Sequence, residues 1–195
     1  MNNSFFAILF RQRYIKRWGL MRNTREETLE EHAAETAMLA HALASIGNEI
    51  FGKRYNADRA VTLALFHDAT EVYTGDMPTP VKYYSPEIRD SYKRMEAEAA
   101  SRLCTTLPLQ LRHVYEPIIC GGNDGDARLR KIVKAADTLS AYIKCLSELG
   151  AGNSEFEIAA SSTKKKLENM HMPELDWFIE NMLQAFTVPL DSIGF

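Results

Sequence analysis

Apolar residues recur at steps of three and four along most of the chain, and polar or glycine-rich breaks separate these stretches. The stripe His32, Thr36, Leu39, Leu43, Ile46 keeps that rhythm behind Thr28-x-x-Glu31, a capping-box signature, and stops near Gly47-Asn48. A preceding helix is expected from Ser4 to about Arg17, ending near Gly19. Asn56 opens a third, in which Val61, Leu63, Ala64, Leu65 and Phe66 are apolar nearly all round, the mark of a central buried helix. That helix runs straight into His67-Asp68 and Glu71.

The remaining elements follow from punctuation. Gly75-Asp76-Met77-Pro78-Thr79-Pro80 predicts a rigid loop or short turn, and Ser85-Pro86-Glu87 a capped helix reaching about Cys104. A shorter helix follows Pro108, and Gly121-Gly122-Asn123-Asp124-Gly125 reads as the most flexible connection. The next helix should run from about Ala127 to Leu149 with Leu129, Ile132, Val133, Ala136, Leu139, Ile143 and Leu146 inward and Asp137 beside that stripe. Two last helices are expected near 154–170 and 173–186. The reading is all-α, one compact helical bundle over residues 1–195, which is long enough to bury roughly 70% of its unfolded surface.

Against this apolar background, His32, the doublet His67-Asp68 and Asp137 fall where helical stripes should present hydrophobic side chains. Uncompensated charge is costly to bury, so such residues enter a core mainly when paired or bound to a metal. Two imidazoles and two carboxylates suit Zn, Mn, Co, Fe or Ni alike. On a helix, His67 and Asp68 would stand about 100° apart and share one edge, with Glu71 on the same side as an acid or base. Each residue alone has a plainer reading: a satisfied core histidine, a surface carboxylate, a cap. An HD doublet by itself is common; the four together are not.

Composition narrows the field. A net charge of −3 and 25% charged residues exclude a broadly basic nucleic-acid surface, and Lys164-Lys165-Lys166 reads as a solvated helix face. Cys104, Cys120 and Cys145 have no CxxC spacing and cannot all pair internally, which points to reduced thiols in a cytosolic protein. The apolar run Phe5–Phe10 precedes basic residues, the reverse of a signal peptide, and no run nears the roughly 20 apolar residues of a membrane span. A cytoplasmic protein with no membrane or nucleic-acid partner is expected. His41, His113 and His171 are read as surface or packing residues.

The set His32…His67-Asp68…Asp137 resembles the signature of HD-domain metal-dependent phosphohydrolases. Around it stand Arg17-Trp18, Glu31-His32, His67-Asp68-Ala69-Thr70-Glu71, Gly75-Asp76-Met77-Pro78-Thr79-Pro80-Val81-Lys82-Tyr83 and Lys134-Ala135-Ala136-Asp137. With Tyr142-Ile143-Lys144-Cys145-Leu146 and Ala151-Gly152-Asn153-Ser154-Glu155-Phe156, these are similar to the bacterial YfbR-type 5′-deoxynucleotidases. The likeness covers nearly the whole chain and is weakest over 87–128 and after 159. Ala33 departs from the family pattern, which has serine after the histidine; that removes a local hydrogen bond and leaves the ligand types intact.

The resemblance implies an all-helical subunit, a homodimer, and hydrolysis of deoxyribonucleoside 5′-monophosphates to nucleoside and phosphate with one divalent transition metal, Co, Mn or similar. Carried over residue by residue, His32, His67, Asp68 and Asp137 become metal ligands, with His32, Asp68 and Asp137 also bordering the substrate. Arg17 would orient the phosphate, and Trp18 would pack against the sugar and help reject a 2′-hydroxyl. Asp76, Met77, Pro78 and Thr79 would line the nucleotide site.

The chemistry suits these residue types. A phosphate monoester dianion repels nucleophiles; a divalent ion supplies positive charge and lowers the pKa of water from about 15.7 towards 7–9. Arg17 presents a planar fork that matches phosphate oxygens. Glu71 is placed near the attacking water, and Asp76 nearer the departing 5′ oxygen as general acid. Two alternatives stand beside this reading. One is an HD phosphohydrolase acting on a triphosphate or cyclic nucleotide, which would want more basic residues than Arg17 and Lys82. The other is a non-catalytic helical module with a structural metal or regulatory nucleotide, for which Glu71 and Asp76 would have no use.

Overall fold

Local capping signals account for where three of the helices, at Leu29, Ala57 and Pro86, begin. The computed structural model describes residues 3–82 and 84–194, so Tyr83 of the motif lies outside the described residues. In order come α1 (Phe5–Leu9), α2 (Leu29–Glu49), α3 (Ala57–Leu65), α4 (Glu71–Thr74), α5 (Thr79–Lys82), α6 (Pro86–Thr105), α7 (Leu109–Ile119), α8 (Ala127–Gly150), α9 (Glu157–Glu168) and α10 (Pro173–Asn181). Among the described residues the only strand-like pairing is an isolated antiparallel bridge between Lys16 and Thr28, so the all-α expectation holds.

Thr28 and Glu31 form the capping box at the head of α2. The Thr28 amide donates to Glu31 Oε2 at 2.8 Å, and the Glu31 amide donates back to Thr28 Oγ1 at 3.2 Å. Asn56 Oδ1 accepts from the Arg59 amide at the start of α3, and Ser85 Oγ accepts from Ile88 at the start of α6, where Pro86 occupies the first helical position. The α2 stripe is buried as its spacing requires, from His32 and Thr36 through Leu39, Leu43 and Ile46.

The chain divides into two compact units. One holds the chain up to Arg22, Glu26–Ala34 and Leu65–Gly125; the other holds Asn23–Arg25, Glu35–Ala64 and the chain from Asp126 onward. The core of the first is built from Phe5, Leu9, Ala69, Leu103 and Leu107, with Ile8, Phe66, Val72, Tyr115 and Ile119 packed against it. Phe5 and Leu103 are almost wholly enclosed, each side chain contributing about 1.5–3 kcal/mol of burial. In the second unit α8 packs against α9, with Leu129, Ile132, Leu139, Phe156, Leu167, Leu175 and Phe178 buried.

Several elements depart from expectation. The first helix stops at Leu9, passes through a 3₁₀ stretch, Phe10–Tyr14, and gives way to extended backbone at Ile15. The Ser4 side chain makes no cap. The chain is pulled out of helix because Arg17 N donates to Glu27 O and Leu29 N to Ile15 O, each at 2.9 Å. The third helix ends at Leu65, which is 43% exposed, so only the face carrying Ala60, Leu63 and Ala64 is buried. On α8 the buried stripe drifts past Leu139 to Tyr142, Cys145 and Glu148, leaving Ile143 and Leu146 only half-buried. A regular 3.6-residue helix rotates away from a fixed three-and-four spacing over six turns.

Candidate active site

The HD doublet lies in a tight turn, not on a helix. After α3 the backbone closes with Ala69 N donating to Phe66 O and Glu71 N to Asp68 O, three-residue spacings that turn the chain before α4. Ala69, 1% exposed, is driven into the first unit's core. That anchor holds its neighbours His67 and Asp68, which remain half-buried, while Gln12 Nε2 donates to the Asp68 carbonyl at 3.4 Å.

Beside this turn stands the first helical turn of α2. His32 is fully buried, and its ring centre lies 5.3 Å from that of His67. His32 Nε2 is 3.8 Å and His67 Nε2 3.0 Å from the same oxygen, Asp68 Oδ2. One ligand atom from each of the three lies within 4.8 Å of the others. Atoms bonded to one ion at about 2.1 Å and 90–110° apart are themselves about 3.0–3.4 Å apart, so this group fits a divalent cation with small side-chain adjustments. Asp137 belongs to the other unit. It sits on α8 with 19% of its side chain exposed and accepts from Lys134 Nζ at 2.8 Å.

Arg17 and Trp18 come to the site on the extended segment, not on a helix end. Arg17 Nη1 is 3.6 Å from Asp68 Oδ2 and its Nε 3.5 Å from Glu27 Oε1, with the side chain only 11% exposed. Trp18 adopts φ +59°, a left-handed conformation that costs a bulky residue on the order of 1–3 kcal/mol and persists only where surroundings hold it. Here its amide donates to Asp76 Oδ2 at 3.3 Å and its indole to Glu27 Oε2 at 2.8 Å.

Asp76, Met77 and Pro78 are half-buried and Thr79 exposed. Gly75, at φ +70° between α4 and this segment, takes a conformation closed to most side chains. The stretch expected as a loop is partly helical, since Thr79 begins α5. Lys82, at its end, pairs with Glu96 at 2.9 Å and lies 4.3 Å from the Tyr92 ring centre.

Glu71 is buried at the head of α4, and its Oε2 finds no hydrogen-bond partner among the described residues. Burial, reinforced by the nearby carboxylates of Asp68 and Asp76, pushes its carboxyl up to about 9 against the opposing pull of Arg17 and Lys82. It therefore holds a proton at neutral pH when no cation is bound. Glu27 goes the other way: burial alone would raise it, but the close approach of His32 and the Arg17 charge hold it below the usual carboxylate range. Glu27 and Gln12 are buried polar residues at the site that periodicity did not single out. Their signal in the sequence is no more than a polar residue in a short connecting segment.

This fold is that of the HD-domain phosphohydrolases. An HD-domain phosphohydrolase from Listeria innocua superposes with a TM-score of 0.81 at 22% identity, over 94% of this chain and 88% of that one. The cyanophage S-2L HD phosphohydrolase DatZ, in a structure bound to dA and one catalytic Zn²⁺ ion, matches with a TM-score of 0.63 at 21% identity, over 94% and 99%. At the level of sequence, the family described as 5′-deoxynucleotidase YfbR-like matches residues 4–186. The 5′-deoxynucleotidase YfbR of Salmonella paratyphi B is 46% identical over 190 residues, 97% of this chain and 95% of the relative, and a 5′-deoxynucleotidase of Klebsiella pneumoniae matches equally. The chain belongs to the YfbR-like 5′-deoxynucleotidase family and is a metal-dependent phosphohydrolase. Among the described residues no helix is long and apolar enough to cross a membrane.

Proposed function

We propose that His32, His67, Asp68 and Asp137 hold the divalent ion with which this 5′-deoxynucleotidase cleaves deoxyribonucleoside 5′-monophosphates. The observation that carries the reading is the convergence of His32 Nε2, His67 Nε2 and Asp68 Oδ2, with the Arg17 guanidinium beside them. The donor set suits Co, Mn or a similar transition metal. When bound, the ion supplies positive charge against the phosphate dianion and an acidified water. Arg17 adds a fixed second cation whose planar fork orients phosphate oxygens. Trp18, held at both ends of the residue, presents an apolar ring against C2′ of the sugar. Asp76, Met77, Pro78 and Thr79 border the nucleotide.

Proton transfers fall to Glu71 and Asp76. In the leading assignment Glu71 orients and deprotonates the attacking water, and Asp76 protonates the 5′ oxygen. The raised Glu71 favours a second assignment in which Glu71, already carrying a proton, is the donor. A cation on Asp68 opposes that rise, so the leaving-group experiment below decides between them.

The enzyme is expected to act as a cytoplasmic homodimer, with residues 1–195 as one HD-domain unit; the family match over 4–186 supports that extent. Phosphate release from a panel of deoxy- and ribonucleoside monophosphates, each with Mn, Co, Zn and Mg, tests the proposal. Metal-independent release, or equal rates on both sugars, counts against it.

A further inference from the structure

We propose that Glu27 is the positioning residue that joins the metal site to the substrate-selecting side chains, through one buried carboxylate. The inference rests on the reading of His32 as a metal ligand and of Arg17 and Trp18 as substrate contacts. Glu27 is 6% exposed. Its Oε1 lies 3.4 Å from His32 Nδ1 and 3.5 Å from Arg17 Nε, and its Oε2 accepts from Trp18 Nε1 at 2.8 Å. Its own carbonyl accepts the Arg17 amide at 2.9 Å, so backbone and side chain both act on Arg17.

Each contact has a separate consequence. A neutral imidazole has one N–H and one lone pair, and a carboxylate can only accept. With Glu27 Oε1, an acceptor that no hydrogen bond satisfies among the described residues, 3.4 Å away, His32 Nδ1 is the nitrogen placed to carry the hydrogen, which leaves the lone pair on Nε2, the nitrogen turned towards Asp68. A carboxylate behind a ligating histidine fixes its tautomer and raises its basicity, and loss of such a partner typically weakens metal binding by about 10–100-fold. The second oxygen holds the indole of a residue whose left-handed backbone would otherwise relax. Ligand chemistry and sugar discrimination thus share one anchor, and a change at Glu27 moves both.

The experiment compares wild type, Glu27→Gln and Trp18→Ala as full-length protein. Mn²⁺ affinity is measured by equilibrium dialysis with elemental analysis, and kcat/KM on a deoxyribonucleoside monophosphate and its ribo counterpart is measured at saturating Mn²⁺. Glu27→Gln should weaken Mn²⁺ binding by about 10–100-fold and also reduce the deoxy preference. Trp18→Ala should reduce the preference with Mn²⁺ affinity unchanged. Glu27→Gln binding Mn²⁺ as wild type does, or keeping the full sugar preference, overturns the proposal. If His67→Ala retains Mn²⁺, the ligand assignment itself fails, a separate outcome. Should Glu27→Gln not fold, ¹⁵N NMR of the metal-free wild-type imidazoles still decides: His32 must be the Nδ1–H tautomer, and an Nε2–H form refutes the inference.

Discussion

Replacing Glu148 should destabilise the protein more than most single substitutions. This carboxylate, 1% exposed on α8, accepts from the Thr24 amide at 2.9 Å, Thr24 Oγ1 at 2.8 Å, the Arg25 amide at 3.3 Å and Asn153 Nδ2 at 2.9 Å. Lys144 Nζ, itself 10% exposed, completes the set. Glu148→Ala leaves the ammonium and four other donors facing an apolar methyl; breaking a buried pair in this way costs about 3–5 kcal/mol. Glu148→Gln keeps the volume but turns charge-assisted bonds into neutral ones, for about 2 kcal/mol. At about 2–4 °C per kcal/mol for a chain of this size, Tm should fall by roughly 6–20 °C and 4–8 °C respectively.

The same group predicts a pH dependence. Burial would raise the Glu148 carboxyl, but the bonds from Lys144, Asn153 and Thr24 carry it well below the usual carboxylate range. A depressed folded-state pKa contributes stability in full above the unfolded value, here 4.5, and loses it as pH falls towards the folded value. Urea unfolding followed by far-UV circular dichroism, with chelator present to remove metal linkage, should show a constant gap between wild type and Glu148→Gln from pH 6 to 8. That gap should narrow below about 4.5. A Tm drop under about 2 °C for Glu148→Ala, or a gap that widens on acidification, would refute the reasoning.

Other outcomes follow from the site. His67→Ala and Asp68→Ala should abolish bound metal and activity, and should remove the metal-dependent rise in Tm expected of an ion that binds only the folded state; full occupancy by elemental analysis contradicts the assignment. Asp137→Ala should do the same if it is the fourth ligand. Trp18→Ala should relax the deoxyribonucleotide preference, which an apolar contact limits to about 1–3 kcal/mol, measured as the ratio of kcat/KM for the two sugars. Asp76→Asn should slow deoxynucleotide hydrolysis by about 10²–10⁴-fold yet spare p-nitrophenyl phosphate, whose leaving group needs no proton, while Glu71→Gln slows both. Rescue of Glu71→Gln by the better leaving group reverses the two roles, and rescue of neither leaves both as positioning residues.

How much of this was legible in the sequence depended on the range of the physics involved. Caps act over three or four residues, so Thr28-x-x-Glu31, Asn56 and Ser85-Pro86 located the starts of α2, α3 and α6 without any tertiary information. Helical periodicity likewise marked the buried face of α2, and polar residues breaking into it flagged His32. Signals fade with length, which is why the α8 stripe drifted, and they fail where a long-range bond outweighs local preference, as when Glu27 and Leu29 drew the 15–17 segment out of helix.

By itself, then, the sequence determined the helical class, most helix starts, the types of metal donor available and the resemblance to a family of phosphohydrolases. Only the tertiary structure decided how those donors are presented. The doublet sits in a turn because Ala69 is wanted by a core assembled from α1, α6 and α7. Trp18 takes a left-handed backbone because Asp76 and Glu27 hold it from two sides. The Glu71 carboxyl is pushed up, and those of Glu27 and Glu148 held down, according to which charges and donors folding gathers around each. Three glutamates identical as letters acquire different chemistry because desolvation and Coulomb energy depend on neighbours distant along the chain, which no local pattern records.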